Sequence, residues 1–362
     1  MRASAASWWM ERSFTIVSAL AFVFSLTSIA QSQSDSGLPP RTPNNYPVTQ
    51  QAPTPANPSQ NSASQQPGAK PSPIEAEPGS GDQNGMFVFK KQVEEVVLHA
   101  TVFDQNRNLV TGLSRQDFSV SENGVPQTIT AFRREDVPVA IGIVVDNSGS
   151  MRDKREKVNQ AVLNLIRASN PQDQIFVVNF GEKSYLDQDF TSNENLLRAA
   201  LHQVAFRGST ALYDAIVASA VHLRSDTNIE KKVLLVITDG QDNMSEDTLQ
   251  EALQRVQQPN GPTLYAIGLL GSGLSHSGRE ALDALAAGSG GVAYFPDSLD
   301  QVDSITRSVA HDIRSQYRIA YRPANQNIQP QFKSIQVDAR APGYGKLTVR
   351  TRSGYYPPQP TR

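Results

Sequence analysis

The sequence predicts an α/β protein: a doubly wound, mostly parallel sheet with helices on both faces, inserted in a flanking β-sandwich-like domain. Three observations lead there. Between Val137 and Ser315, continuous apolar runs alternate with amphipathic stretches, the pattern of strands buried on both faces and separated by helices. Before and after this segment, β-branched and aromatic residues cluster in short runs between turn signals, without a helical period. Neither flank holds enough strands for a stable sheet of its own. One β-domain built from both flanks, with the α/β unit inserted, is the economical arrangement, because the termini of a compact domain usually lie close together.

The elements follow in chain order. Arg2 and Arg12 precede an apolar run from Phe14 to Ile29, and Ser28 and Ala30 stand at the −3 and −1 positions before Gln31. This is the pattern of a signal peptide, residues 1–30. The run is about 16 residues, roughly 24 Å as a helix, short of the usual ~20-residue span. An uncleaved anchor is the alternative, and either way the remainder is expected to be exported, to the periplasm, the cell surface or the medium. Residues 31–85 are rich in Gln, Ser, Pro, Asn and Ala, with Tyr46 as the only aromatic residue. Such a stretch buries too little apolar surface to offset chain entropy and reads as a disordered linker.

The first part of the β-domain, 86–136, contains MFVFKKQVEEVVLHATVFD, DFSVSENG and PQTITAFRRED, separated by turn signals such as Glu122-Asn123-Gly124. In the α/β unit, 137–315, the strands are VAIGIVV, DQIFVVNF, KVLLVITD, PTLYAIGLL and VAYF, and SYLDQDF reads as an antiparallel edge strand. Helices are expected over Lys154–Ala168, Asn193–Val204, Ala211–Arg224, Glu246–Gln257, Arg279–Ala287 and Leu299–Ser315. The second part of the β-domain, 316–357, contains QYRIAYRP, FKSIQVDAR and KLTVRTRSGYY.

Composition removes several function classes. The 33 basic and 35 acidic side chains give a net charge of −2, and no basic stretch interleaves with aromatics, so nucleic acid is a poor partner. Cysteine is absent, which excludes disulfides, thiolate metal sites and thiol catalysis.

The stretch IGIVVDNSGSM ends an apolar strand on Asp146, Ser148 and Ser150 at alternate positions. In open parallel sheets, ligands bind at the carboxyl ends of strands. Two further segments reach the same edge: VLLVITDGQDN, with Asp239 at its strand end, and FRGSTALYDAI, with Thr210 before a helix. Each piece alone is an ordinary cap or turn. Together they bring two carboxylates and three hydroxyls to one edge, with no His or Cys. All-oxygen donors suit Mg²⁺, Mn²⁺ or Ca²⁺ and disfavour Zn²⁺ or copper. Two carboxylates roughly neutralise a divalent ion, and five side chains, some acting through water, leave a coordination position for an external group.

At these residues the segment from about Val137 to Ser315 resembles a von Willebrand factor type A domain. DNSGSM is similar to that family's Asp-x-Ser-x-Ser motif, and Thr210 and Asp239-Gly240 match the rest of its metal-ion-dependent adhesion site. The resemblance implies direct coordination by Ser148, Ser150 and Thr210, with Asp146 and Asp239 binding directly or through water. It implies Mg²⁺ foremost, and a protein partner that places an Asp or Glu on the open position. The flanking segments GLSRQDFSVSENGVPQTITAF and YRIAYRP…RSGYY resemble those of exported bacterial proteins described as acidobacterial A-domain-related. The expected function is metal-dependent protein binding. A structural envelope or matrix protein with a closed metal site is the alternative.

An enzyme is disfavoured. No phosphate loop, nucleophile elbow or His-Glu-x-x-His helix is present, and Gly271-Ser-Gly273 lacks the third glycine of a dinucleotide fingerprint, with His276 in its place. The five histidines, 99, 202, 222, 276 and 311, are scattered. A metal-dependent hydrolase would want a base besides its ligands; Asp242 could serve, but Gln241-Asp242-Asn243 reads better as the solvated start of a loop. Segments 181–193 and 271–280 are expected to ring the metal edge as loops.

Overall fold

In the computed structural model, residues 95–134, 136–203, 208–269, 274–324 and 331–357 are described. The expected signal peptide and linker, and residues 271–273, lie outside them. The first flank holds β1 (Val96–Phe103), β2 (Phe118–Glu122), β3 (Val125–Gln127) and β4 (Ile129–Arg133). The α/β unit begins with β5 (Val139–Asp146), α1 (Arg155–Arg167), β6 (Gln174–Phe180), β7 (Ser184–Thr191), α2 (Glu194–His202) and α3 (Leu212–Ser225). It continues through β8 (Lys231–Thr238), α4 (Leu249–Val256), β9 (Thr263–Gly268), α5 (His276–Ser289), β10 (Ala293–Tyr294) and α6 (Val302–Arg314). The second flank adds β11 (Tyr317–Tyr321), β12 (Lys333–Ala339), β13 (Thr348–Arg350) and β14 (Gly354–Tyr355).

The central sheet has the order β10-β9-β8-β5-β6-β7. All its pairings are parallel except β6 with β7. Every residue of β5, β8 and β9 is buried, as covering a sheet on both faces requires. Along β5, side chains alternate between two cores. Val139, Ile141, Ile143 and Val145 pack with Val158 and Leu165 of α1, Leu197 of α2 and Ile313 of α6. Ala140 and Val144 pack on the other face with Ile216 of α3, Val256 of α4 and Leu285 of α5. The chain winds outward from β5 in both directions, so the gap beside the ends of β5 and β8 is the switch point at which such sheets bind ligands.

The flanking strands form two four-stranded sheets, β13-β1-β11-β4 and β14-β12-β2-β3, and each mixes strands from both flanks. Leu98, Ala100 and Val102 of β1, Phe118 and Val120 of β2, Tyr317 and Ile319 of β11, and Val337 of β12 share one core.

Several elements differ from the sequence reading. The helix expected from Glu246 starts at Leu249, because Asp214 of α3 accepts the backbone N–H groups of Glu246 and Asp247 at 3.2 and 2.8 Å and holds them in a loop. The helix expected from Arg279 starts at His276, capped by the Ser275 side chain on the N–H of Gly278. The strand expected over VAYF shrinks to two residues, β10. SYLDQDF forms the expected antiparallel edge strand, β7 (Ser184–Thr191) along β6, so most of segment 181–193 is strand and not the loop also expected there. Among the described residues, no helix is long and apolar enough to cross a membrane.

Candidate metal centre at the sheet switch point

Asp146 is the last residue of β5 and Asp239 follows the last residue of β8, so adjacent parallel strands deliver both carboxylates to one end of the sheet. Both are fully buried. After Asp146 the chain makes a short 3-10 turn, Gly149–Met151, which folds Ser148 and Ser150 back over the strand end. The Ser148 N–H donates to Asp146 Oδ1 at 2.7 Å, and the Ser148 and Ser150 hydroxyl oxygens lie 3.1 Å apart. The Ser150 hydroxyl donates to Asp239 Oδ1 at 2.8 Å. A continuous polar chain thus runs from β5 to β8.

Thr210 arrives from the loop before α3. Its N–H donates to Asn243 Oδ1 at 2.9 Å, and its carbonyl accepts the Asn243 N–H at 3.0 Å, which locks this loop to the one after Asp239. Gly240 lies between the two parts of the cluster. A Cβ there would stand 3.3 Å from Thr210 Oγ1 and 3.9 Å from Asp146 Oδ2, so a side chain at Gly240 would crowd the Thr210 hydroxyl on the side that faces Asp146. The structure therefore gathers all five residues named from the sequence.

Four neighbours escaped the sequence reading. Thr238 donates its hydroxyl to Asp146 Oδ2 at 2.6 Å, and Asn243 anchors Thr210. The Lys154 ammonium binds Asp239 Oδ2 and lies 3.1 Å from the Ser150 carbonyl oxygen. Arg155 is buried behind the cluster and donates to the Asp146 carbonyl at 3.0 Å and the Leu201 carbonyl at 3.3 Å. Burial holds the Arg155 pKa down to about 10, against the pull of Asp146 and Asp187. Lys154 and Arg155 open α1, one turn past Ser150; that spacing was the available signal.

Asp242, the candidate base, is engaged in structure. Its Oδ2 accepts the Tyr213 N–H at 3.1 Å and its Oδ1 the Ser245 N–H at 3.3 Å, so it ties the start of α3 to the loop. Among the described residues, no three His, Cys, Asp or Glu side chains gather as a metal cluster.

The donor set fits a hard divalent cation. Two buried carboxylates and three hydroxyls converge without nitrogen or sulfur. Burial first, and then the Asp239 charge, raise the Asp146 pKa, while hydrogen bonds from Thr238 and Ser148 oppose the rise. Burial thus disfavours a bare Asp146 carboxylate, and the neighbouring Asp239 is already paired with the Lys154 ammonium.

A doubly wound sheet with an Asp-x-Ser-x-Ser turn, a threonine loop and an Asp-Gly loop at its switch point defines a class of α/β domains. Residues 141–241 match the family model of the von Willebrand factor type A domain, and the chain carries a domain of this type. No curated protein matches the chain significantly. Among solved structures, proximal thread matrix protein 1 of the mussel byssus, in a form with a zinc-occupied MIDAS motif, is 17% identical, with 53% of this chain covering 50% of that one and a TM-score of 0.45. The chain thus spans about half the length of that protein. A von Willebrand factor type A protein from Catenulispora acidiphila is 14% identical over 75% of this chain and 76% of its own, with a TM-score of 0.43. The corresponding domain of the type V pili tip protein Mfa5 from Porphyromonas gingivalis is 12% identical over 49% of this chain and 97% of its own, with a TM-score of 0.41.

Proposed function

We propose that the chain is an exported, non-enzymatic interaction module. Its A domain holds a divalent cation, Mg²⁺ foremost, through Asp146, Ser148, Ser150, Thr210 and Asp239, and a protein partner completes the coordination with an Asp or Glu. The observation that carries this reading is the hydrogen-bonded oxygen chain from Asp146 through Ser148 and Ser150 to Asp239 at the strand ends. When bound, the cation supplies a Lewis-acidic position that attracts a carboxylate. The chain's own residues do the rest. Asp146 and Asp239 balance the charge, the serine hydroxyls bring the turn close, and Gly240 leaves the Thr210 hydroxyl uncrowded.

Export rests on the N-terminal pattern of basic flank, apolar run and small residues. The absence of chemistry rests on Asp242, whose carboxylate is committed to two backbone N–H groups and the Ser245 hydroxyl, where a hydrolase needs a free base.

The test is calorimetric Mg²⁺ titration of the wild type and Asp146→Ala, beside co-purification of culture-medium proteins in Mg²⁺ and in EDTA. Losing one of two carboxylates is expected to weaken the ion on the order of a hundredfold. Co-purification should be lost equally in EDTA and in the variant. Undiminished, EDTA-insensitive capture by Asp146→Ala sinks the adhesion mechanism.

A further inference from the structure

Lys154 stands where a free cation is expected. Its ammonium binds Asp239 Oδ2 and lies 3.1 Å from the Ser150 carbonyl oxygen. Asp239 has no exposed side-chain surface, whereas Lys154 keeps 18% of its own. The second cation beside the cluster, Arg155, hydrogen-bonds the Asp146 backbone carbonyl and not its carboxylate. Asp146 and Asp239 are two buried like charges in one small space, a costly arrangement without a counter-charge. The residue that supplies the counter-charge sits on a flexible four-carbon stem with one side open to solvent.

We propose that Lys154 is a tethered cation that neutralises the divalent site in the metal-free protein and is exchanged for the ion on loading. This rests on reading the cluster as a divalent-cation site. Before loading, the ammonium offsets part of the repulsion between the two aspartates by pairing with Asp239, and so helps to hold the strand ends of β5 and β8 together. For an ion to draw on Asp239, the Lys154–Asp239 pair must open and the side chain swing outward. Metal binding therefore carries the cost of breaking a half-buried ion pair, which lowers affinity and sets a threshold concentration for occupancy. The same exchange makes the empty protein less dependent on metal for its fold. Occupancy then follows the cation level outside the cell, and partner binding is gated by it.

The experiment is calorimetric titration of the full chain with Mg²⁺ alone and with Mn²⁺ alone, for the wild type, Lys154→Met and Lys154→Arg, beside thermal unfolding in EDTA and in Mg²⁺. Lys154→Met is expected to bind both ions on the order of ten- to a hundredfold more tightly, because no pair has to open. It should also melt lower than the wild type in EDTA and gain more from Mg²⁺. Lys154→Arg keeps the charge and should stay near the wild type in both readouts. Lys154→Gln, which retains a polar group for Asp239, carries the same expectation as the Met variant if the latter aggregates. Mg²⁺ binding that is unchanged or weaker in these neutral variants, with a normally binding wild type, overturns the exchange and leaves the metal site standing. Binding only in the neutral variants supports it in its strongest form, a lysine that keeps the ion out. No binding by any folded variant removes the metal reading and the exchange together.

Discussion

His99 shows how one alternating position acquires a physical role. On β1 its neighbours Leu98 and Ala100 are buried in the sandwich core, so the strand's period of two turns His99 away from that core. It meets a cleft of about 460 Å³, also lined by Glu230, Lys231, Gln316 and Arg318. Burial, and then the charges of Lys231, Arg352 and Arg318, lower its pKa from 6.5 to about 3. Unfolded histidine takes up a proton near 6.5 and the folded one refuses it until about 3. Over that window the unfolded chain binds more protons, so stability falls as pH falls, by up to about 1.4 kcal/mol per pH unit. His99→Gln should remove that component. Urea unfolding of both proteins at about pH 7 and about pH 4.5 measures it. Equal pH slopes would mean that His99 is hydrated in the folded state.

β5 is the element on which fold and site meet. Gly142 is paired across to Phe176 of β6 and Leu234 of β8. A Cβ there would stand 2.7 Å from Leu234 Cδ2 and would press into the Phe176 ring. Gly142→Ala is therefore expected to cost about 1–3 kcal/mol by overpacking. Because Asp146 ends the same strand, Mg²⁺ affinity should fall with it. Chemical denaturation and metal titration of this variant check the two effects together, and an unchanged midpoint would show that the Phe176 ring moves aside. The start of α4 teaches a different lesson. Thr248 and Glu251 form a capping box that the sequence displays, yet what keeps Glu246 and Asp247 out of the helix is Asp214, which reaches over from α3.

Asp312 of α6 joins the A domain to the sandwich. It accepts the Tyr265 hydroxyl at 2.6 Å and the Thr101 hydroxyl of β1 at 2.9 Å, and pairs with Arg350 of β13. The sandwich depends on both flanks. β1 lies between β11 and β13, and β2 between β3 and β12. A chain ending at Ser315 leaves β1 with neither neighbour and β2 without β12, and bare strand edges associate. The truncated chain is expected to aggregate, while residues 137–315 stay soluble. Size-exclusion chromatography and urea unfolding distinguish these outcomes. A monomeric, cooperatively unfolding 1–315 chain would show that the first flank needs no partner.

The α/β class and the five clustered oxygen-bearing residues were legible because their signals are local: unbroken apolar runs, helical spacing between them, and polar residues where strands end. Asp146, Ser148 and Ser150 lie within one turn, and residues at the carboxyl ends of parallel strands share one edge of the sheet with Asp239. Lys154 was only partly legible: its spacing from Ser150 is local, but its pairing depends on Asp239, far along the chain just past the end of β8. The sandwich sheets were not legible. PQTITAFRRED reads as one run but divides between β3 and β4, and KLTVRTRSGYY divides between β13 and β14, in opposite sheets each time. A hydrophobic period tells a segment which face to bury; its partner strand is chosen by packing between residues as distant as Val96 and Tyr321, where the chain between them carries no pairing signal.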